Sequence, residues 1–307
     1  MQKKNILQEF LDIVTTKNML QSKYLENSLS DITHEEIVKL ENLLNFYVFR
    51  EQCSLEDIAV KYLNFTSYFI DGQRHFVEFG KYRFSTFSEI ENLYQDPEYM
   101  GNYTVGLGLS SYLWRVHREI NKLFIKSLQL GNTQTVGQYL EIGPGHGEHF
   151  VTALQNTDFQ KYTAIDISKT AVALTRDYVK YSIPNPNKPF EIIHDDIFKF
   201  QTCELFDMVV MGEVLEHVEN PHLFLQKIYQ LASDHAVIFV TTAINAPDLD
   251  HIYQFNNLKE VTELIENENY TIIDSVVVNA YNYPLEKAEK RKIPVNVAFI
   301  LKKNKSI

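Results

Sequence analysis

The sequence predicts an α/β protein in which a doubly wound, seven-stranded sheet follows an all-helical N-terminal region. Apolar residues recur at helical spacing through the first 130 residues, whereas beyond residue 131 short apolar runs alternate with helical stretches. The length of 307 residues suits two domains. We therefore predict a helical domain at 1–130 and a sheet domain at 131–307, joined at the polar segment that begins at Gly131.

Three capping-box spacings and one glycine-rich segment organise the N-terminal region. The glycines between 101 and 108 indicate a break between helices. The apolar positions from Leu109 to Phe124 then predict an amphipathic helix that ends near Gly131. The pairs that predict helix starts are Thr33 with Glu36, Ser54 with Asp57, and Thr86 with Glu89.

Seven apolar runs in the second domain predict strands, with helices between them as in β-α-β units. Asn220 and Pro221 indicate a helix start, because asparagine caps helices and proline suits the first helical position. The predicted helices lie near 147–156, 168–180 and 221–232, with one more after Asn257. The predicted strands lie near 138–142, 162–166, 190–194, 206–211, 236–241, 270–278 and 295–302.

The net charge, the cysteines and the apolar pattern limit which binding partners and which cellular compartment we expect. The formal net charge of -11 disfavours nucleic acid or an anionic membrane as a general partner, because the averaged field repels both. Cys53 and Cys203 follow no metal-ligand spacing and are interpreted as reduced thiols. The N-terminus lacks the apolar core of a signal peptide and no apolar run approaches a membrane span, so we expect a cytoplasmic protein.

The most specific motif is a short apolar strand followed by three glycines and a helix, Tyr139-Leu-Glu-Ile-Gly-Pro-Gly-His-Gly-Glu148. Gly143, Gly145 and Gly147 allow the backbone to approach a ligand closely, and the helix N-terminus offers free N–H groups to a carboxylate. A nicotinamide fingerprint would place its third glycine at position 148, which is occupied by glutamate. The spacing therefore disfavours a nicotinamide reductase.

Two acidic residues follow the next two predicted strands. Asp166 stands at the end of the second strand, where a carboxylate can accept both hydroxyls of a ribose. After the third strand, either Asp195 or Asp196 can accept the exocyclic amine of an adenine. Together with the glycine loop, these carboxylates predict a nucleoside-binding crevice at the ends of the strands.

These motifs resemble the class I S-adenosylmethionine-dependent methyltransferases, especially the small-molecule branch that includes ubiquinone-type O-methyltransferases. The resemblance covers about residues 135–302 and rests on Leu140-Glu-Ile-Gly-Pro-Gly-His-Gly147, Ala164-Ile-Asp-Ile-Ser168 and Val210-Met-Gly-Glu-Val-Leu-Glu-His-Val218. It implies a Rossmann-like sheet whose last strand runs antiparallel to the rest, and S-adenosylmethionine as the cofactor.

The resemblance also implies where the cofactor lies. The three glycines would surround its methionine moiety, Asp166 would contact the ribose, and Asp196 with Ile197 would contact the adenine. Gly212 would close the pocket near the sulfonium. The implied cofactor residues are Glu141, Gly143, Gly145, Gly147, Asp166, Ile167, Asp196, Ile197 and Gly212.

Glu213, Glu216 and His217 follow the fourth strand at spacings that would place them on one face of a helical turn. One interpretation makes His217 a general base toward an attacking hydroxyl, with Glu213 beside it as a second catalytic candidate. Another makes His217 a structural residue that hydrogen-bonds a loop. A third adds His251 and forms a mixed carboxylate and imidazole metal site from Glu213, Glu216, His217 and His251.

The metal interpretation resembles the Glu-x-x-Glu-His motif with a distal histidine in small-RNA 3′-end methyltransferases. The second histidine of that family stands in a loop of different sequence, so the presence and the absence of a divalent metal both stay open.

Aromatic residues and a histidine cluster just before the second domain, at Tyr99, Tyr103, Tyr112, Trp114 and His117. In the resembled family this segment often folds over the cofactor, which implies a lid that excludes water. His117 is then a further candidate base, whereas Trp114 either faces the acceptor or packs in the helical core.

The expected function is S-adenosylmethionine-dependent methylation of a small-molecule acceptor in a biosynthetic pathway. O-methylation is favoured because candidate bases cluster at the pocket, while N- or C-methylation stays open. One alternative is a metal-dependent RNA 3′-end methyltransferase, which the acidic charge opposes. Another is a protein that binds S-adenosylmethionine without turnover. The sequence indicates neither the acceptor nor the oligomeric state.

Overall fold

The computed structural model describes residues 5–132 and 137–304. Its N-terminal region is helical, and the three predicted capping boxes are confirmed. Glu36, Asp57 and Glu89 each accept the backbone N–H of the cap residue three positions earlier. The helices are α1 (Ile6–Lys17), α2 (Met19–Ser28), α3 (His34–Glu51), α4 (Leu55–Phe79), α5 (Phe87–Gln95), α6 (Pro97–Leu113) and α7 (Arg115–Gly131).

The second region contains the predicted seven-stranded sheet, with β1 (Gln138–Ile142), β2 (Lys161–Asp166), β3 (Phe190–His194), β4 (Phe206–Met211), β5 (Ala232–Ile244), β6 (Tyr270–Val278) and β7 (Val295–Lys303). The strand order is β3-β2-β1-β4-β5-β7-β6. The last strand, β7, pairs antiparallel with β5 and β6, whereas the other pairs are parallel. Both the doubly wound sheet and its antiparallel last strand are therefore confirmed.

Helices cover the sheet, at α8 (Glu148–Asn156), α9 (Lys169–Ser182), α10 (Pro221–Leu231), α11 (Leu258–Asn267) and α12 (Leu285–Lys290). The first four lie where the sequence predicts them, and α12 is an addition. Alternate side chains of β4 enter different cores, with Met208 and Val210 on one face and Val209 and Met211 on the other.

The N-terminal region shares its core with one face of the sheet. A single cluster of buried residues contains Leu40 of α3, Phe124 of α7 and Phe239 of β5. Helix α7 lies against β5, β6 and β7. The last helix before the predicted junction thus packs on the sheet, while the domain boundary at 130/131 stays a prediction. Within the described residues, no helix is both long and apolar enough to cross a membrane.

The predicted break at 101–108 is wrong. Helix α6 runs without interruption from Pro97 to Leu113, and the chain breaks instead at Trp114, whose extended backbone separates α6 from α7. The glycines serve close packing. A Cβ atom at Gly106 would overlap the Phe65 ring of α4. Tertiary packing has therefore outweighed the low helix propensity of glycine.

Replacing Gly106 by alanine is expected to destabilise the protein by about 1–2 kcal/mol, although alanine is the better helix former. Overpacking costs about 1–3 kcal/mol and exceeds the gain in helix propensity of about 1 kcal/mol. Urea unfolding measures the difference. Gly101→Ala is the matched control in the same helix, because the nearest atom to its Cβ is the flexible Lys61 Nζ at 3.4 Å. A Gly106→Ala protein as stable as the control would contradict this explanation of the unbroken helix.

Candidate active site

A cavity of about 430 Å³ lies at the carboxyl ends of β1, β2, β3 and β4. This is the switch point of the sheet, where β1 neighbours both β2 and β4 and where doubly wound sheets bind their ligands. Many of the predicted site residues line it, namely Gly143, Gly145, Asp166, Ile167, Asp196, Ile197, Gly212, Glu213 and His217. The predicted residues Glu141 and His117 line a second, smaller cavity, whereas Gly147, Glu216 and His251 line neither.

The glycine loop turns sharply between β1 and α8. Gly143, Gly145 and Gly147 have φ angles of 68°, 53° and 84°, in the left-handed region that favours glycine. A Cβ atom at Gly147 would lie 3.1 Å from the Thr175 backbone of α9. Gly147 thus serves the turn into α8 and lies outside both cavities, which differs from its implied place around the methionine moiety.

Asp166 ends β2 with a buried carboxylate at the cavity wall. Its two oxygens accept the backbone N–H groups of Ser168 at 2.8 Å and Gly145 at 3.3 Å. Burial raises the pKa of Asp166 to about 6, although these N–H donors act in the opposite direction. The carboxylate is therefore held in place by the glycine loop and is ionised at neutral pH.

The raised pKa of Asp166 predicts pH-dependent ligand binding. Below pH 6 the carboxyl is protonated and loses part of its capacity to accept two ribose hydroxyls. The dissociation constant of S-adenosylhomocysteine is therefore expected to rise up to about tenfold between pH 7 and pH 5, and to be flat above pH 7. Calorimetric titration between pH 5 and pH 7 measures the dissociation constant. Asp166→Asn lacks the titrating group and should not show this pH dependence. The same dissociation constant at pH 5 and pH 7 would contradict the assignment.

The smaller cavity, of about 70 Å³, adjoins the first and shares Gly143, Gly145, Gly212 and Glu213 with it. Its wall is richer in polar groups than that of the large cavity, and it includes Glu141 of β1 together with Ser111, His117, Asn121, His146, His149 and Thr241. Desolvation lowers the pKa of His117, and it lowers those of His146 and His149 to about 3 and about 4. These histidines are therefore neutral at pH 7. His146 stands in the glycine motif and His149 directly follows it, so the sequence contained a signal for them.

Glu213 stands at the border of the two cavities. Its φ of 51° lies in the left-handed region, which is costly for a residue other than glycine. Its carboxylate accepts the Thr241 hydroxyl at 2.6 Å. The turn that follows is a single 3-10 turn, Leu215–His217, so Glu213 lies outside it. Glu213 and His217 face the large cavity but Glu216 does not, which differs from the single helical face that the spacing predicts.

His217 belongs to a buried hydrogen-bonded group. Its Nδ1 atom lies 3.1 Å from the Tyr94 hydroxyl and 3.3 Å from Asp250 Oδ2. The Tyr94 hydroxyl in turn donates to Asp250 at 3.2 Å. Burial alone would lower the pKa of His217, but the Asp250 carboxylate outweighs it and raises that pKa to about 10. In this arrangement His217 is an imidazolium at neutral pH.

Behind His217 lie further acidic and imidazole groups. In the described part of the chain, Glu216, His217 and His251 form one set whose potential ligand atoms lie within 4.8 Å of one another, and Asp248, Asp250 and His251 form another. Glu213, the fourth residue of the predicted metal set, belongs to neither. Burial, followed by the neighbouring Glu213, raises the pKa of Glu216 well above its usual range.

The N-terminal helices supply the opposite wall of the large cavity. Tyr103 and Met100 of α6 and Tyr94 of α5 line it. Of the five residues of the predicted lid, Tyr103 is the one in this lining, and the lid stays a prediction. Trp114 lines neither cavity and donates its indole N–H to Tyr62 at 3.0 Å in the helical core. The structural interpretation of Trp114 is therefore the right one. Tyr94 was missed, because a lone tyrosine far from the glycine loop carries no sequence signal.

Comparison with known proteins shows which family model matches this chain and which curated relatives it resembles. Residues 114–275 match the model of the Methyltransferase domain family. Pavine N-methyltransferase of Thalictrum flavum subsp. glaucum is 28% identical over 38% of this chain and 32% of its own length. Ubiquinone biosynthesis O-methyltransferase of Glaesserella parasuis serovar 5 (strain SH0165) is 31% identical over 26% of this chain and 35% of its own length.

These alignments span about a third of the curated relatives' length. Among solved structures, the N-methyltransferase NodS from Bradyrhizobium japonicum WM9, in complex with S-adenosyl-L-homocysteine, superposes with a TM-score of 0.44 and 18% identity. That superposition covers 62% of this chain and 88% of NodS. The family match, by contrast, spans more than half of the chain and includes the glycine loop, Asp166 and the segment after β4. The chain therefore belongs to the Methyltransferase domain family, as its resemblance to the class I S-adenosylmethionine-dependent methyltransferases predicts.

Proposed function

We propose that this protein transfers the methyl group of S-adenosylmethionine to a hydroxyl of a small-molecule acceptor, in a biosynthetic pathway. The observation that carries the proposal is the large cavity. The glycine loop, Asp166 and Gly212 form one wall, and Tyr94 and Tyr103 form the other. Its volume of about 430 Å³ suits a small ligand buried between domains.

The residues present fit this cofactor. Asp166 offers a fixed carboxylate to a ribose, and Asp196 with Ile197 offers an acceptor and an apolar surface to an adenine. The backbone approaches the cavity at Gly143, where a Cβ atom would lie 3.0 Å from Val214. When bound, S-adenosylmethionine supplies a methyl group that its sulfonium already activates. The chain then has to align the acceptor and exclude water.

The small polar cavity suits the amino-acid end of the cofactor, because it adjoins the glycine loop and holds both carboxylate and imidazole groups. His117→Ala is therefore expected to weaken S-adenosylhomocysteine binding about 3- to 10-fold, as the loss of one neutral hydrogen bond does. The same variant should leave the affinity for 5′-methylthioadenosine, which lacks the amino-acid end, unchanged. Calorimetry with both ligands measures this. Equal losses for both ligands would assign His117 to general packing rather than to this cavity.

Glu213 is the group best placed to take the acceptor's proton. It borders both cavities beside Gly212, and the Thr241 hydroxyl fixes its carboxylate. His217 is less suited, because an imidazolium at neutral pH has no free nitrogen to accept a proton. The acceptor oxygen would thus lose its proton to Glu213 as it attacks the methyl carbon.

We also propose that a divalent metal binds beside the acceptor, at Glu216, His217 and His251. Glu216 Oε1 and Asp250 Oδ1 are buried without a hydrogen-bond partner, which is costly unless a cation or water satisfies them. Both imidazoles have their Nδ1 atom engaged, His217 with Asp250 and His251 with the Ala246 carbonyl. A bound metal would replace the Nε2 proton of the His217 imidazolium, and Nε2 of each histidine would then be a ligand atom while the hydrogen-bonded Nδ1 fixes the ring.

The mixed carboxylate and imidazole set suits ions such as Mn²⁺, Fe²⁺ or Zn²⁺. A metal there would act as a Lewis acid toward an acceptor oxygen and lower the pKa of its hydroxyl. Glu216 and Asp250 would balance its two charges.

The decisive experiment incubates the purified protein with S-adenosylmethionine and a panel of phenols, amines and a small RNA, with and without Mn²⁺. Mass spectrometry of the products separates O- from N-methylation. Methylated phenol supports the proposal. Methylation confined to the RNA 3′ end would favour the RNA alternative, which the acidic cavity opposes. Cofactor binding without any methylated product would indicate a protein that binds the cofactor without turnover.

A further inference from the structure

The acceptor side of the large cavity combines aromatic rings with carboxylates. Phe87 and Tyr94 of α5 line it as a stacked pair, with ring centroids 5.9 Å apart and planes at 27°. Glu219 stands at the rim, and its carboxylate accepts the Phe87 backbone N–H at 2.7 Å. Tyr103 continues the aromatic wall from α6. Rings and carboxylates arranged in this way are the usual surroundings of a bound ammonium group.

The charges of the whole cavity act in the same direction. Its described lining residues include five carboxylates and neither lysine nor arginine. Glu213 and Glu219 stand on the acceptor side, and Asp166, Asp195 and Asp196 stand on the side proposed for the cofactor. His217 is the one imidazole in that lining, and Asp250 balances its charge at 3.3 Å. The Tyr94 hydroxyl donates to the same aspartate, which makes the ring face more electron-rich. The resulting field attracts a cation and repels a carboxylate or a phosphate.

We propose that the methyl acceptor carries a protonated amine, held at the rim by Phe87, Tyr94 and Glu219, in addition to the group that is methylated. This inference rests on the proposed function, because it concerns the acceptor of the same cavity. The amine is an anchor at the rim and is distinct from the hydroxyl that is methylated beside Glu213.

The amine anchor also explains how the cavity selects among acceptors of similar shape. An anionic acceptor would have to enter a site whose described lining has five carboxylates and no lysine or arginine to compensate its charge. An uncharged acceptor would gain only apolar contact with the rings. The amine-bearing acceptor gains both the ring contact and the attraction of Glu219. We therefore expect affinity to fall in the order cation, neutral, anion.

The test uses three phenols of similar size whose side chains are cationic, neutral and anionic: tyramine, 4-ethylphenol and 4-hydroxyphenylacetate. Each is titrated at neutral pH into the full-length protein saturated with S-adenosylhomocysteine, so that no turnover is required. Tyramine is expected to bind at least about tenfold more tightly than 4-hydroxyphenylacetate, with 4-ethylphenol between them. Equal affinities, a preference for the anion, or no binding of any of the three would overturn the inference.

A pair of variants assigns the preference to the rim. Glu219→Gln keeps an oxygen that can accept the Phe87 N–H while it removes the charge. This substitution is expected to weaken the binding of tyramine about threefold or more and to leave the affinity for 4-ethylphenol unchanged. Glu91→Gln makes the same change on α5 at a residue outside the cavity lining. It should leave the affinities for tyramine and for 4-ethylphenol unchanged. If both variants weaken tyramine binding to the same extent, the preference comes from the overall charge of the protein and the proposed anchor is overturned.

The proposed function and this inference fail in distinguishable ways. If S-adenosylhomocysteine does not bind, both the proposed cofactor and the amine anchor are overturned. If S-adenosylhomocysteine binds but the three phenols show no ranking by charge, only the anchor is overturned.

Discussion

Asp166→Ala is expected to weaken the binding of S-adenosylhomocysteine about 10- to 150-fold. The carboxylate lies at the cavity wall and is fixed by the Ser168 and Gly145 N–H groups. Its loss removes charge-assisted hydrogen bonds to the ribose hydroxyls, worth about 1.5–3 kcal/mol together. Calorimetric titration at pH 7.5, well above the pKa of Asp166, measures the change without interference from protonation.

The control for this prediction separates binding from folding. Asp158→Ala removes an exposed aspartate of the same region, whose partner is Lys188, and should leave the dissociation constant unchanged. Both variants should show the cooperative thermal unfolding of the unaltered protein. An Asp166→Ala protein that folds and keeps its affinity would place the ribose elsewhere.

Removal of divalent metal is expected to lower the rate of phenol methylation at least about 100-fold, while S-adenosylhomocysteine still binds. A Lewis acid contributes several kcal/mol to the activation of a hydroxyl, whereas Asp166 and the glycine loop, which we propose bind the cofactor, lie outside the metal set. The measurement compares chelator-treated protein with the same sample after addition of Mn²⁺, with metal content read by mass spectrometry.

Glu216→Gln is the variant for this prediction, because it removes a charged ligand and nearly keeps the volume of a fully buried side chain. It should bind less metal and lose activity in proportion. Glu286→Gln, on the short helix α12, is the control and should behave as the unaltered protein. Full activity after chelation, with no metal bound, would leave Glu213 to act without a metal and would overturn the proposed centre.

Most of the fold could be predicted because its signals are local. The strand runs have period and composition typical of buried strands, and the glycines, Asn220 and Pro221 mark the turns and helix starts between them. The wall of the large cavity to which we assign the cofactor could be predicted for the same reason. Gly143, Asp166 and Gly212 each directly follow or end a strand, so a correct strand assignment brings them to one edge of the sheet.

The other wall could not be predicted, because it depends on contacts between distant parts of the chain. Tyr94 reaches His217 and Asp250 across more than a hundred residues of sequence. Asp250 stands beside His251 in the sequence, but its role depends on the burial of the loop after β5, which the N-terminal region covers. Tyr82 illustrates that cover, since its hydroxyl accepts the Ala246 backbone N–H at 2.9 Å.

The glycines of α6 are another feature that depends on tertiary packing and could not be predicted from the sequence. Composition alone indicates a break wherever glycines cluster. At Gly106 and Gly108, however, the partners are Phe65 and Tyr47, which lie on two other helices. Only the packing of α6 against α3 and α4 reveals why a small residue is required there.

The central claim is that the crevice at the switch point of the sheet binds S-adenosylmethionine. The most direct test is calorimetric titration of the metal-stripped protein with S-adenosylhomocysteine at neutral pH, followed by the same titration with Asp166→Ala. The account predicts saturable binding at a single site that the substitution weakens at least about tenfold. No binding to the unaltered protein, or equal binding to both, would contradict it.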